Sequence, residues 1–173
     1  MELGLFLLHV VPGLLLMGHG SQKLFGWLGG HGPEGTGQFM DALGMRPGRR
    51  MALAAGFNEF AGGALLALGL LIPLAAVLIV STMLVASLTA HRGKGLWATD
   101  NGFELPLLYG LFATGLAFNG AGQWSLDNAI GWDVSGLAWG LGALAVALIG
   151  AVTVVTAARH AERAHPHGVQ TTS

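Results

Sequence analysis

The stretch MALAAGFNEFAGGALLALGLLI, residues 51–72, sets the class of fold. It is an apolar run with one ionisable side chain, Glu59, and it exceeds the roughly 20 residues that a helix needs to cross a bilayer. It lacks the two-residue alternation of strands in membrane barrels, so we interpret it as a helix. This stretch therefore predicts a membrane-spanning helix that carries one buried carboxyl group.

Four further apolar stretches extend this pattern to a polytopic bundle, and they cover residues 3–25, 74–90, 103–119 and 134–158. The expected fold class is all-α, a transmembrane helix bundle. We divide it into a four-helix membrane domain with its loops at 1–133, an additional transmembrane helix at 134–158 and a polar cytoplasmic tail at 159–173.

The composition supports a membrane protein and excludes several classes of function. Apolar residues make up 53% of the 173 residues and charged residues 10%, whereas soluble domains carry about a quarter charged residues. Eight basic residues balance nine acidic ones, which argues against a nucleic-acid partner. No cysteine is present, so thiolate metal sites and iron–sulfur clusters are excluded. We expect a lipid bilayer as partner and no metal site.

The basic residues outside the spans predict the orientation in the membrane. They are Arg46, Arg49, Arg50, Arg92, Lys94, Arg159 and Arg163. With five spans, all of them fall on one side, which the preference of Lys and Arg for cytoplasmic loops makes the inside. The expected location is a bacterial inner membrane, with the N-terminus outside and the C-terminus in the cytoplasm.

Five ionisable groups are expected in the cytoplasmic half of the bundle: His19, Lys23, Glu59, His91 and Glu104. His19 and Lys23 are four residues apart and share a helix face. At 1.5 Å per residue, Glu59 lies about 12 Å from the inner end of its span. We predict that Lys23 pairs with Glu59 or Glu104, and that His19 and His91 line the same inner pocket.

Two interpretations of this cluster remain open. It can be a pocket for a small polar head group, in which histidine and glutamate transfer protons. It can equally be a charge pair that only holds helices together. Small residues around Glu59, namely Ala55, Gly56, Gly62 and Gly63, predict close packing of another helix.

Two other features receive structural interpretations. His9 lies near the outer end of the first span and is interpreted as a packed or interfacial histidine, without the matched partner that a haem would need. Residues 36–45, in the first inner loop, have apolar side chains at helical spacing. They form either a short interfacial helix or an ordered loop.

Four motifs, in order along residues 3–131, resemble those of the DoxX family. They are GHGSQKLFGW at 18–27, GFNEFAGG at 56–63, HRGKGLW at 91–97 with NGFE at 101–104, and GAGQWSLD at 120–127. The chain departs from the family in two places. His9 stands where many members carry arginine, and the fifth span is an addition to a four-helix core.

The resemblance implies a small subunit of a quinone-linked membrane oxidoreductase acting on thiosulfate or a thiol, because some relatives are subunits of thiosulfate:quinone oxidoreductase. Quinone would be a diffusible acceptor, with no covalently bound cofactor and with other redox subunits as partners. The candidate site has His19 and Glu59 as catalytic residues and, as binding residues, Lys23, His91, Trp97 and Glu104. A small-solute or proton carrier and a non-catalytic scaffold subunit are the alternatives.

Overall fold

The computed structural model describes residues 2–164, and within them every regular element is helical. The helices are α1 (Glu2–Leu24), α2 (Gly32–Ala42), α3 (Gly48–Leu68), α4 (Ile72–Leu88), α5 (Glu104–Asn119), α6 (Leu126–Ala129) and α7 (Leu137–Ala164). A 3₁₀ turn, Ala98–Asp100, lies between α4 and α5. The predicted all-α membrane bundle is confirmed.

The five longest helices coincide with the five predicted spans. Three of them are long and apolar enough to cross a membrane: α1, α3 and the Leu137–Ala161 part of α7. Helices α4 and α5 have 17 and 16 residues, or about 26 and 24 Å at 1.5 Å per residue. Both are therefore shorter than a hydrocarbon core of about 30 Å.

The fifth predicted span is an integral part of the bundle. Helix α7 packs against α4 and α5, and it buries one small or branched side chain per turn: Ala143, Ala147, Ala151 and Val155. Its helix continues to Ala164, so the predicted polar tail at 159–173 begins as helix. Residues 165–173 of that tail lie outside the described residues.

Helices α1 and α3 pack so closely that their backbones touch. A Cβ atom on Gly13 would lie 2.5 Å from the Ala67 nitrogen, and one on Gly20 would lie 2.5 Å from the Phe60 nitrogen. From the other side, a Cβ on Gly63 would meet the Gly13 oxygen at 2.6 Å. Small residues at such contacts let membrane helices approach each other, which confirms the close packing predicted around Glu59.

The connection between α1 and α3 does contain a helix, α2, which begins before the predicted segment at 36–45. Its residue Glu34 accepts a hydrogen bond of 2.7 Å from Arg49 Nε at the start of α3. This hydrogen bond and the positive charge of Arg49 hold the pKa of Glu34 below its usual range. Because both side chains are exposed to solvent, the pair orients α2 more than it stabilises the fold.

The motif at 120–127 holds the opposite end of the bundle together. Asp127 is buried, and its carboxylate accepts hydrogen bonds from the backbone nitrogens of Leu71, at 2.9 Å, and Ile72, at 3.3 Å. Its own backbone nitrogen donates to the Gly69 oxygen at 2.9 Å. A carboxylate that binds free N–H groups stabilises the start of a helix. Asp127 therefore holds the α3–α4 turn in place and caps the N-terminus of α4.

Asp127→Ala should lower the free energy of unfolding by about 1–3 kcal/mol, since it leaves the buried N–H group of Ile72 and the partly buried one of Leu71 without an acceptor. Chemical unfolding in detergent micelles would measure this change. Asp133→Ala is the matched control: its exposed carboxylate bonds only to Ser135, so a change within about 0.5 kcal/mol is expected. Equal effects of the two substitutions would refute the capping role.

Candidate functional site

An ion pair between α1 and α3 forms the centre of the candidate site. Lys23 Nζ lies 2.5 Å from Glu59 Oε2, and the two side chains are 23% and 8% exposed. A buried carboxylate is costly unless a well-placed partner compensates for its lost hydration. Of the two partners predicted for Lys23, the structure selects Glu59.

The glycine contact between α1 and α3 positions this pair. A Cβ atom on Gly56 would lie 3.0 Å from Lys23 Cβ and 2.9 Å from Leu24 Cγ. The missing side chain therefore leaves room for the Lys23 stem to run along α3 toward Glu59, one turn further on. The sequence predicts both residues in the same half of the bundle, and the glycine contact brings their two helices together.

His19 lies one turn before Lys23 on the same helix and is exposed on the surface of the bundle. Its ring packs edge-on against Tyr109 of α5, with ring centroids 6.1 Å apart. Tyr109 is half-buried and close enough to Glu59 to interact with its charge. Lys23 Nζ also donates to the His19 backbone oxygen at 3.5 Å. These contacts place His19, Lys23, Glu59 and Tyr109 in one group, which we call the polar cluster.

Tyr109 is the member of the polar cluster that the sequence analysis missed. It is the only tyrosine in the chain and lies in an apolar span. A buried tyrosine usually needs a polar partner for its hydroxyl group. This rule could have indicated that Tyr109 lies near a polar group. The sequence does not say which face of α5 points to α1, so the partner could not be named.

His91 and Trp97 lie in the connection between α4 and α5, and Glu104 is the first residue of α5. His91 Nδ1 contacts the Asn101 oxygen at 2.6 Å, and Glu104 accepts a hydrogen bond from the Ala98 nitrogen at 2.8 Å. Trp97 is 63% exposed. Across the residues that the structure describes, no hydrogen bond or ion pair joins these side chains to Lys23 or Glu59. The predicted site residues therefore do not form one cluster. Backbone atoms of the α4–α5 connection, and not Lys23 or Glu59, are the partners of His91 and Glu104.

His9 is a packed histidine, as predicted. It is 1% exposed, and Nδ1 lies 3.1 Å from the Leu66 oxygen and 3.2 Å from the Ala67 oxygen. Both neighbours are acceptors, so Nδ1 carries the proton. Its ring also meets Phe6 edge-on. His9 thereby binds carbonyl groups in the last turn of α3, where helical hydrogen bonds are incomplete.

Two cavities lie at opposite ends of the bundle, away from the polar cluster. The one near the Asp127 end has a volume of about 390 Å³ and is lined by Glu2 and residues of the 119–135 segment. The other, of about 100 Å³, lies between the α2–α3 turn, α4 and α7. Neither is lined by His9, His19, Lys23 or Glu59. Among the side chains that the structure describes, no three of His, Asp or Glu are arranged to hold a metal ion.

Comparison with known proteins places the chain in a family. The sequence model of the DoxX family matches residues 4–92, a range that includes His19, Lys23 and Glu59. An uncharacterized protein of Haemophilus influenzae is 34% identical over 128 residues, which cover 70% of this chain and 86% of that protein. No solved structure gives a significant match. With its bundle of apolar helices, the chain belongs to the DoxX family of membrane proteins.

Proposed function

We propose that this protein is a small membrane subunit of a quinone-linked oxidoreductase, in which the polar cluster binds the quinone head group and transfers protons. One observation carries the proposal: the Lys23–Glu59 pair at 2.5 Å, inside a bundle of membrane helices and beside an exposed His19. Ionisable side chains within a membrane are costly, and such residues commonly mark a functional site.

The proposed chemistry divides between this chain and its partners. Reduction of a quinone to a quinol takes up two electrons and two protons. The electrons would come from thiosulfate or a thiol through partner subunits, the substrate class that the family resemblance implies. The chain contains no cysteine, so its own contribution would be binding and proton transfer. In this scheme His19 and Glu59 would relay the two protons: each takes up a proton from the aqueous side and then delivers it to the reduced quinone, and the Glu59 carboxylate pairs with the Lys23 ammonium group between deliveries.

The exposure of His19 suggests how quinone would reach the cluster. Quinones dissolve in the lipid phase, so a quinone can approach sideways between α1 and α5 without an aqueous cavity. His19 and Tyr109 meet at this boundary, with ring centroids 6.1 Å apart. The head group would contact these two side chains first, with the Lys23–Glu59 pair behind them.

Quinone reduction in proteoliposomes, with thiosulfate or a thiol as donor and the partner subunits present, tests the proposal. Glu59→Gln should reduce the rate by about 100-fold or more, the usual effect of losing a general acid or base. Glu34→Gln is the matched control, since this carboxylate is exposed on α2. Quinone binding to the purified chain, followed by tryptophan fluorescence, needs no donor. Absence of saturable binding would overturn the proposal.

A second candidate function is that of a non-catalytic scaffold subunit. It is favoured by the complete pairing of Glu59 with Lys23 and by the absence of these residues from both cavities. In that case Glu59→Gln should lower the stability of the bundle and leave quinone binding unchanged. The proposed oxidoreductase role instead requires that Glu59→Gln weaken quinone binding.

We further propose that the protein lies in an inner membrane with its N-terminus outside. The supporting observation is the position of the basic side chains: Arg46, Arg92 and Arg159 come from loops or helix ends at the same end of the bundle. Lys and Arg in short loops favour the cytoplasmic side.

The absence of cysteine makes this orientation directly measurable. Asn128→Cys should react with a membrane-impermeant maleimide in intact cells, because this exposed residue lies at the proposed outer end. Thr99→Cys, exposed in the α4–α5 connection, should react only after the cells are permeabilised. The reverse labelling pattern would invert the proposed topology.

A further inference from the structure

We infer that an anionic phospholipid binds by its phosphate group in the cavity of about 100 Å³ between the α2–α3 turn, the end of α4 and α7. Two arginines from different parts of the chain line this cavity, Arg92 after α4 and Arg159 on α7. This small space suits a phosphate group better than a bulky head group. This inference does not rest on the proposed oxidoreductase function.

The charge at the cavity calls for an anion. Arg92 and Arg159 are exposed. The ion pairs among the side chains that the structure describes are Lys23–Glu59 and Arg49–Glu34. Neither Arg92 nor Arg159 is part of such a pair. The carbonyl ends of α2 and α4 border the same space. Each carries about half a negative charge, so two of them offset only about one of the two guanidinium charges. Arginine binds phosphate oxygens through two parallel hydrogen bonds.

The remaining lining indicates that the phosphate belongs to a lipid. Five of the nine lining residues are apolar and form one wall of the cavity: Leu43, Met45, Leu88, Val155 and Ala158. The one hydroxyl group is already used, since Thr89 donates to the Val85 oxygen at 2.7 Å.

An arginine pair beside an apolar wall between membrane helices matches a head group joined to acyl chains. Basic pockets of this kind on the cytoplasmic side of membrane proteins bind anionic lipids. A free phosphate ion would use the arginines and leave the apolar wall without a partner.

Native mass spectrometry of the full-length protein from vesicles with equal amounts of phosphatidylglycerol and phosphatidylcholine tests this inference. The protein should retain phosphatidylglycerol in preference to phosphatidylcholine. The double variant Arg92→Gln/Arg159→Gln should retain at least about tenfold less of it, since each basic group contributes separately to binding. Arg50→Gln is the matched control, because this exposed arginine at the start of α3 does not line the cavity.

Three results would overturn the inference. Equal retention of the two lipids would show that the site does not select an anion. An equal loss with Arg50→Gln would attribute retention to general surface charge. Displacement of phosphatidylglycerol by millimolar inorganic phosphate would identify a free anion as the ligand. The thermal unfolding midpoint of the double variant in phosphatidylcholine vesicles should match that of the unsubstituted protein, so that a loss of lipid cannot be assigned to misfolding.

Discussion

Lys23→Met should lower the free energy of unfolding by about 3–5 kcal/mol, because it leaves the Glu59 carboxylate buried without its partner. The carboxylate is only 8% exposed, and its contact with Lys23 at 2.5 Å is the one ion pair it makes among the described side chains. Methionine keeps the length and packing of the lysine stem, so the loss can be assigned to charge. Reversible chemical unfolding in detergent micelles measures the change.

The double variant Lys23→Met/Glu59→Gln should recover most of this loss. Removing both charges also removes the cost of burying them, and buried ion pairs are often replaceable by neutral side chains. Lys94→Met controls for the loss of a positive charge. Because Lys94 is exposed, this substitution should change the free energy of unfolding by no more than about 0.5 kcal/mol. If the double variant loses as much free energy of unfolding as the two single variants together, packing and not charge makes the contribution.

Gly20→Val should lower the free energy of unfolding by more than about 3 kcal/mol, above the usual range for overpacking. A Cβ atom here would lie 2.5 Å from the Phe60 nitrogen and 2.7 Å from the Gly56 oxygen. These are backbone atoms, so no change of side-chain rotamer relieves the clash and α1 must move away from α3. Because Lys23 lies within one turn of Gly20, quinone binding should be lost together with stability.

Gly18→Ala is the matched control for this substitution on the same helix. Its Cβ would meet only Leu28 Cδ1 at 3.5 Å, an ordinary contact. Alanine favours a helix over glycine by up to about 1 kcal/mol, so the expected change is zero or a small gain. If Gly18→Ala and Gly20→Val prove equally destabilising in the same unfolding assay, the backbone contact does not hold α1 to α3.

The predictions that the structure confirms depend on position along a helix. Apolar runs long enough to cross a bilayer identified the five main helices, since length and composition are local properties. A rise of 1.5 Å per residue placed His19, Lys23 and Glu59 in the same half of the bundle, where Lys23 does pair with Glu59. Glycine and alanine around Glu59 likewise indicated that another helix approaches there.

The predictions that the structure modifies depend on the rotation of each helix and on loop hydrogen bonds. His91 and Glu104 have the expected position along the chain, yet the Asn101 oxygen and the Ala98 nitrogen are their partners. Tyr109 joins the polar cluster because α5 turns that face toward α1. Neither outcome can be obtained from the spacing of residues in the sequence. Spacing gives the position of a side chain along its helix axis, but not the direction in which the helix is rotated relative to its neighbours.

Asp127 shows, within a single motif, the same difference between what position along the chain predicts and what packing determines. The segment at 120–127 supported the family resemblance without revealing its physical role. That role depends on two N–H groups of a turn 56 residues earlier in the chain, a distance over which sequence spacing carries no information.

From its residues alone, this chain is a helical membrane protein of the DoxX type, with a cation and a carboxylate in the same half of the bundle, because hydropathy and helical rise are local properties of the sequence. Three-dimensional packing selected which partners meet: Lys23 with Glu59, His19 with Tyr109, and Asp127 with the start of α4. The physical reason is that these contacts depend on how glycine-lined helices approach and rotate against one another, which is a property of the whole bundle.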